Sequence, residues 1–225
     1  MKKLVIAIDG PAGAGKSTVA QIVARKMGYV YIDTGAMYRA VTWLALRQNL
    51  TVKDAAAVGD LAAGAVIELT YAAGKLVVLV NGEDVTGPIR TPEVTGLVAE
   101  ISQILPVREA MLVLQRNMAA KGGVVMDGRD IASRVLPNAD VKVFLTASIE
   151  ERARRRWKEL LDKGYTVDLE ELKREIADRD RKDYEREYAP LIQTEDAVLV
   201  DTTAMSIEAA VDEILKICEE KSGGI

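Results

Sequence analysis

Gly10-Pro11-Ala12-Gly13-Ala14-Gly15-Lys16-Ser17 fills the phosphate-binding pattern G-x-x-x-x-G-K-[ST] at every specified position. The run follows an apolar, strand-like stretch at 4–8 and opens a helix-like one at 17–27. A strand ends, glycines let the backbone turn so that successive N–H groups face inward, and the helix N-terminus adds partial positive charge. Gly10, Pro11, Ala12, Gly13, Ala14, Gly15, Lys16, Ser17 and Thr18 are therefore expected to wrap a polyphosphate. Lys16 would reach the β- and γ-phosphates, and the Ser17 hydroxyl would be a ligand for Mg²⁺. The loop predicts a bound nucleoside triphosphate. It does not say what receives the phosphate.

Outward from the loop, short apolar runs at 29–32, 124–126, 141–145 and 197–200 alternate with helical patterns near 36–47, 107–120, 149–161, 169–187 and 206–220. Strands that scarcely alternate and are separated by helices predict an α/β fold around a five-stranded parallel sheet covered on both faces. Ligands of such sheets gather at the carboxyl ends of the strands. Two regions interrupt the alternation. Residues 60–104 contain a β excursion, with a turn at 72–75 and a tight Asn81-Gly82 turn, and read as a small inserted subdomain; an edge hairpin extending the main sheet is the alternative. Residues 163–167 lie between two highly charged helices, where Gly164 can end one helix and Asp168 can cap the next. This 152–187 region reads as a lid that would keep water from a transferred phosphate, against a static solvated hairpin.

Composition narrows the chemistry. The 225 residues are 49% hydrophobic and 28% charged, ordinary for a folded chain, and no apolar run approaches the ~20 residues of a membrane span. The start runs straight into the first strand, so no secretory signal and a cytoplasmic location are expected. Zero histidines and a single cysteine, Cys218, exclude a histidine base and a zinc site, and the cysteine is expected in the core. A net charge of −4 argues against a broad nucleic-acid footprint. Any anion site must come from local arginines.

Such arginines accompany carboxylates at strand ends. Asp33 follows the second strand, where a carboxylate could hold a Mg²⁺-bound water or orient an acceptor; Thr34 could cap the next helix, and Arg39 lies near its start. Asp127-Gly128-Arg129-Asp130 follows the third strand, a costly cluster of charge unless it serves a polar site. Arg129 carries the planar fork suited to a phosphoryl group, and Asp130 can accept from an amine or fix an arginine. Arg152, Arg155 and Arg156 share a helical face, as do Arg179, Asp183 and Arg186, whereas Arg154 and Arg181 read as surface ion pairs. Arginines from several elements fit phosphoryl transfer to an acceptor that is itself an ionised phosphate, which needs no general base.

The segments 8–18, 31–39, 83–94, 107–111, 127–131, 139–148, 179–191 and 201–208 together resemble, in order and spacing, the bacterial cytidylate kinases, a family of nucleoside monophosphate kinases. The resemblance implies a three-layer P-loop kinase core (1–59 and 105–225) with an inserted monophosphate-binding subdomain (60–104) and a short helical lid within 152–187. It implies γ-phosphoryl transfer from ATP, with Mg²⁺, to CMP or dCMP. Lys16, Arg39, Arg129 and Arg186 would be catalytic, the three arginines gripping the acceptor α-phosphate. Arg108 and Asp130 would read cytosine, Arg179 and Asp183 would contact the sugar, Thr34 would touch the acceptor, Ser17 and Asp33 would serve the metal, and Arg152 and Arg156 would approach ATP. The chain departs from the family pattern where a base-reading serine falls at about Ala99; either Ser102, one turn on, substitutes, or Arg108 and Asp130 carry more of the reading. Small-molecule partners only, a monomer, and no nucleic acid or membrane are expected. UMP or dTMP kinases and an ATP-binding switch without turnover are the alternatives.

Overall fold

The computed structural model describes residues 3–72, 75–162 and 164–223. Ala73 and Gly74 of the expected 72–75 turn, and Lys163 of the 163–167 tip, lie outside them. In chain order the elements begin with β1 (Val5–Asp9), α1 (Lys16–Met27), β2 (Val30–Asp33), α2 (Thr34–Arg47) and α3 (Ala55–Gly64). Then come β3 (Ile67–Ala72), β4 (Lys75–Val80), β5 (Glu83–Asp84), α4 (Pro92–Ile101) and α5 (Leu105–Ala119). The last are β6 (Val124–Gly128), a π-helical turn Ile131–Val135, β7 (Val141–Thr146), α6 (Ile149–Asp162), α7 (Leu169–Glu185), β8 (Val198–Asp201) and α8 (Ile207–Lys221). The chain forms two compact units, one of residues 1–31 and 121–225, the other of residues 32–120.

In the first unit, β1 pairs in parallel with β6 on one side and β7 on the other, and β7 pairs with β8. The complete sheet runs β2-β6-β1-β7-β8. Ile6, Ala7 and Ile8 are fully buried, as a central parallel strand covered on both faces requires. Met126, Leu145 and Ile214 complete the same core. α1 buries Val19, Ala20, Val23 and Ala24, and ends at Gly28, whose left-handed conformation caps the Ala24 and Arg25 carbonyls. α6 and α7 pack on each other as a polar hairpin, where α7 buries only Leu172, Ile176 and Asp180. Asp168 caps α7 by accepting from Glu171 N at 2.8 Å, as its position suggested. Gly164, at φ +83°, lies past the end of α6.

In the second unit, β3, β4 and β5 form an antiparallel sheet of their own, so the β excursion does not extend the main sheet. Asn81 and Gly82 both have positive φ, as the tight turn between β4 and β5 demands. α3 has no counterpart in the sequence reading, and the expected boundary at 60 falls inside it. Its residues are mostly alanine and glycine, with too little apolar contrast for a 3.6-residue period to show. The small residues serve close packing: a Cβ on Gly59 would meet the Pro106 Cβ at 2.3 Å, where α3 lies against α5. The inserted segment 60–104 thus lies within a wider unit, because α2 and α5 pack against it.

Candidate active site

The phosphate loop follows β1 and is fixed by what its glycines permit. Gly10 has φ +147°, and a Cβ there would stand 1.9 Å from the Leu145 carbonyl oxygen of β7. Gly15 takes the left-handed conformation at the N-cap of α1. Lys16 is 5% exposed and its ammonium donates to the Pro11 carbonyl at 2.7 Å. Two arginines of α6 hold further carbonyls of the loop: Arg152 donates to Ala12 O at 2.9 Å and Arg155 to Ala14 O at 3.3 Å. In a planar trans peptide the C=O and the following N–H point in opposite directions. The Gly13 and Gly15 amides therefore point away from Arg152 and Arg155, as an anion cradle requires.

These arginines are themselves anchored. Arg152, 4% exposed, also donates to Ala147 O at 2.9 Å and pairs with Asp180 of α7 at 2.7 Å. Arg155 donates to Glu151 at 2.8 Å and to the Thr202 carbonyl at 2.7 Å. Arg156 sits at the surface with Glu159, and Arg154 and Arg181 pair with Glu151 and Asp178, the surface lacing expected of those two.

Charge is dense beside the loop. Burial, then repulsion from Arg129, pulls the Lys16 ammonium down to about 7. Burial pushes Asp9 up to about 6, against the pull of two backbone N–H bonds from Ala132 and Ile131. Arg129 donates to Asp183 at 2.7 Å and to its neighbour's carbonyl, Gly128 O, at 3.2 Å. Burial disfavours the Arg129 charge, but Asp183 outweighs it and raises the pKa. Burial likewise disfavours the Asp183 carboxylate, yet Arg129, Arg179 and Arg186 together draw its pKa below the usual range. Arg186 bonds Ala189 O and reaches Asp130 at 3.5 Å. α7 ends at Glu185, so Arg186 leaves the helical face it was expected to share with Arg179 and Asp183; its extended backbone still brings it within 4.0 Å of Asp183. Asp127 is buried and accepts from the Tyr31 hydroxyl at 2.7 Å.

The second unit holds the remaining expected residues. Asp33, not Thr34, caps α2, accepting from Ala36 N at 2.8 Å while Thr34 is already inside the helix. An aspartate that ends a strand in extended conformation is the better placed cap. Its other oxygen lies 3.7 Å from Arg39. Arg108 is buried under Tyr38, 5.7 Å from the ring centroid, and donates to the Ser102 carbonyl at 3.0 Å. The Ser102 hydroxyl donates to Ala99 O at 3.0 Å, so Ser102, position 99 and Arg108 are neighbours. Sequence reasoning missed Asp9, Tyr31 and Thr202. Only Asp9 left a signal there, as a carboxylate between an apolar strand and Gly10.

A parallel sheet with a glycine loop over its central strand, a buried lysine in that loop and arginine–carboxylate pairs beside it define a P-loop phosphotransferase. A solved gluconokinase from Sinorhizobium meliloti shares this fold, at 17% identity and TM-score 0.50 over 98% of this chain and 95% of that one. Residues 6–220 match the family model for cytidylate kinase. A cytidylate kinase of Bacillus velezensis is 56% identical over 221 residues, covering 98% of this chain and 99% of that protein. One from Geobacillus sp. strain WCH70 is 55% identical over 218 residues, 97% of each. The chain belongs to the cytidylate kinase family.

Proposed function

We propose that this chain transfers the γ-phosphoryl group of ATP to CMP or dCMP, giving ADP and CDP or dCDP. Family membership over nearly the whole length supports the substrate class. The observation that carries the mechanism is that two cations stand within electrostatic reach of each other beside β1: Lys16, buried in the glycine loop, and Arg129 after β6, held by Asp183 at 2.7 Å. Two cations that repel each other when the pocket holds no phosphate are both stabilised when phosphate groups arrive.

Lys16 would exchange the Pro11 carbonyl for the donor's β- and γ-phosphates, while Arg152 and Arg155 keep the loop's amides aimed at them. Arg152 thus acts on ATP through the loop. Arg39, Arg129 and Arg186 would neutralise the acceptor α-phosphate, whose oxygen is nucleophilic without a base, as a chain with 0 histidines requires. Arg108 and Asp130 would read cytosine, the aspartate accepting from its exocyclic amine; Arg179 and Asp183 would hold the sugar, and Thr34 the acceptor.

The donor set suits Mg²⁺ carried on the polyphosphate. Among the described residues no group of three or more His, Cys, Asp or Glu side chains could hold a metal, whereas Ser17 offers an exposed hydroxyl in the first turn of α1. Asp33, with its oxygens facing Ala36 N and Arg39, would act through a metal-bound water. The bound ion would supply charge neutralisation at the β- and γ-phosphate oxygens. The test is ADP release from ATP with Mg²⁺ against CMP, dCMP, UMP, dTMP and AMP. CMP and dCMP should give the highest kcat/KM. A UMP or dTMP preference would reassign the acceptor, and no acceptor-dependent ADP would leave only a nucleotide switch.

A further inference from the structure

Asp130 stands where a residue caps its own turn, at the N-cap of the Ile131–Val135 turn, yet its side chain makes no capping bond. Two other aspartates in that position do cap, Asp33 accepting from Ala36 N and Asp168 from Glu171 N, both at 2.8 Å, while Asp54 ahead of α3 makes no capping bond and accepts from Thr51 instead. For Asp130 the physical cause lies in the neighbouring strand. Asp9 is the last residue of β1 and pairs with Gly128 in the parallel ladder. From there its two carboxylate oxygens take the two amides that open the turn, Ile131 N at 2.9 Å and Ala132 N at 2.7 Å. Asp9 is 2% exposed, so both bonds form out of water, where charge-assisted hydrogen bonds are strongest. With those amides taken, Asp130 turns its carboxylate toward Arg186, at 3.5 Å.

We propose that Asp9 is a positioning residue for acceptor choice: by capping the 131–135 turn from the adjacent strand, it keeps the Asp130 carboxylate turned to the acceptor base. The inference rests on the reading of Asp130 as the group that accepts from cytosine. Asp9 also immediately precedes Gly10, so one buried carboxylate ties the start of the donor loop to the loop that carries Arg129 and Asp130. When Asp9 loses an acceptor oxygen, an amide of the turn is left for the nearest carboxylate, and that is Asp130 in its ordinary capping role.

The experiment compares kcat/KM for CMP and UMP in the wild type, D9N, D9S and D130A, with thermal melts to establish folding. Asparagine and serine each leave Asp9's position only one strong acceptor site for the two amides. The CMP/UMP ratio in D9N and D9S should fall at least tenfold, toward the D130A value, while D130A itself loses the preference outright. A buttress with no part in selection would lower the melting temperature and leave the ratio alone; that result, with D130A losing the preference, overturns the proposal and spares the reading of Asp130. A wild type or D130A with unaltered indifference to the base overturns the reading of Asp130, and the inference with it. If neither D9N nor D9S folds, Asp9 belongs to stability alone and the proposal fails.

Discussion

Replacing Asp180 by alanine tests whether α7 supports the phosphate loop through Arg152. The pair is closed to solvent: the Arg152 side chain is 5% exposed, that of Asp180 12%, and they meet at 2.7 Å. D180A leaves a guanidinium buried without its counter-ion, a change that costs about 3–5 kcal/mol in comparable pairs. Two features favour the lower figure. Arg152 retains the Ala147 and Ala12 carbonyls. The second oxygen of Asp180 is buried without a hydrogen-bond partner among the described residues, so its removal relieves a cost. A loss of about 3 kcal/mol corresponds to a fall in Tm of about 6–12 °C for a chain of this size. Scanning calorimetry reads the stability and initial rates read the KM for ATP. In D180A the KM for ATP should rise severalfold, because Arg152 keeps its carbonyl bonds but loses the carboxylate that fixes its guanidinium plane behind the loop. The double variant R152M/D180L separates the two effects. Replacing both charges with apolar groups should restore most of the Tm, since buried pairs are often no better than well-packed hydrophobes. It should not restore the KM, because methionine leaves Ala12 O without its donor. A drop of less than about 1 kcal/mol in D180A, or a double variant that recovers ATP binding along with stability, would refute this role for Arg152.

Gly10→Ala should lose about 3 kcal/mol or more and at least tenfold in ADP affinity, because the strain of φ +147° adds to a 1.9 Å clash with a backbone oxygen that cannot swing aside; a Tm within 2 °C of wild type would show the loop yields. The fold favours the protonated form of Asp9, raised from 3.8 to about 6, so the stability this proton brings is fully present below 3.8 and lost as the pH rises through about 6. Urea titrations should therefore show the wild type losing about 2 kcal/mol relative to D9N between about pH 4.5 and 7.5, and a gap that does not change with pH would contradict the burial of this carboxyl. Burial pushes the Cys218 thiol up to about 12, so Ellman's reagent at neutral pH should find no thiol in the folded chain and one after unfolding in guanidinium.

What the sequence disclosed follows the range of the forces involved. The phosphate loop and the parallel strands were legible because each rests on a local pattern: glycines at fixed offsets, or an apolar run between turns. The partners of Arg152 and Arg155 were not. Spacing shows that two arginines share a helical face, but whether that face meets the ligand or the far side of the loop depends on how α6 packs. The bonds from Arg155 to Thr202, 47 positions along the chain, leave no trace at short range. Asp9 is hidden for the same reason, since only the register of β1 against β6 brings it over residues 131 and 132. α3 was missed because alanine and glycine carry no period, and Thr34 was read as a cap because the strand before it ends one residue later than the apolar run suggested.

Four arginines near the phosphate loop, Arg129, Arg152, Arg155 and Arg186, divide into two kinds, and the division follows from what holds them. Arg152 and Arg155 spend donors on backbone carbonyls of the loop, so their charge is fixed behind it whatever is bound. Arg129 is held chiefly by the Asp183 carboxylate, and Arg186 by the Ala189 carbonyl with the Asp130 carboxylate at 3.5 Å, so these contacts lie outside the phosphate loop. A carboxylate that accepts from Nε of Arg129 at 2.7 Å orients the guanidinium plane without needing the rest of its five-donor fork. The same charge lifts the pKa of Arg129 against its burial, so the half-buried guanidinium keeps its charge for an arriving phosphate. Neutralising Asp183 should then do more harm than its own contact with a sugar would explain, because Arg129 would lose both its orientation and the charge that makes its burial tolerable.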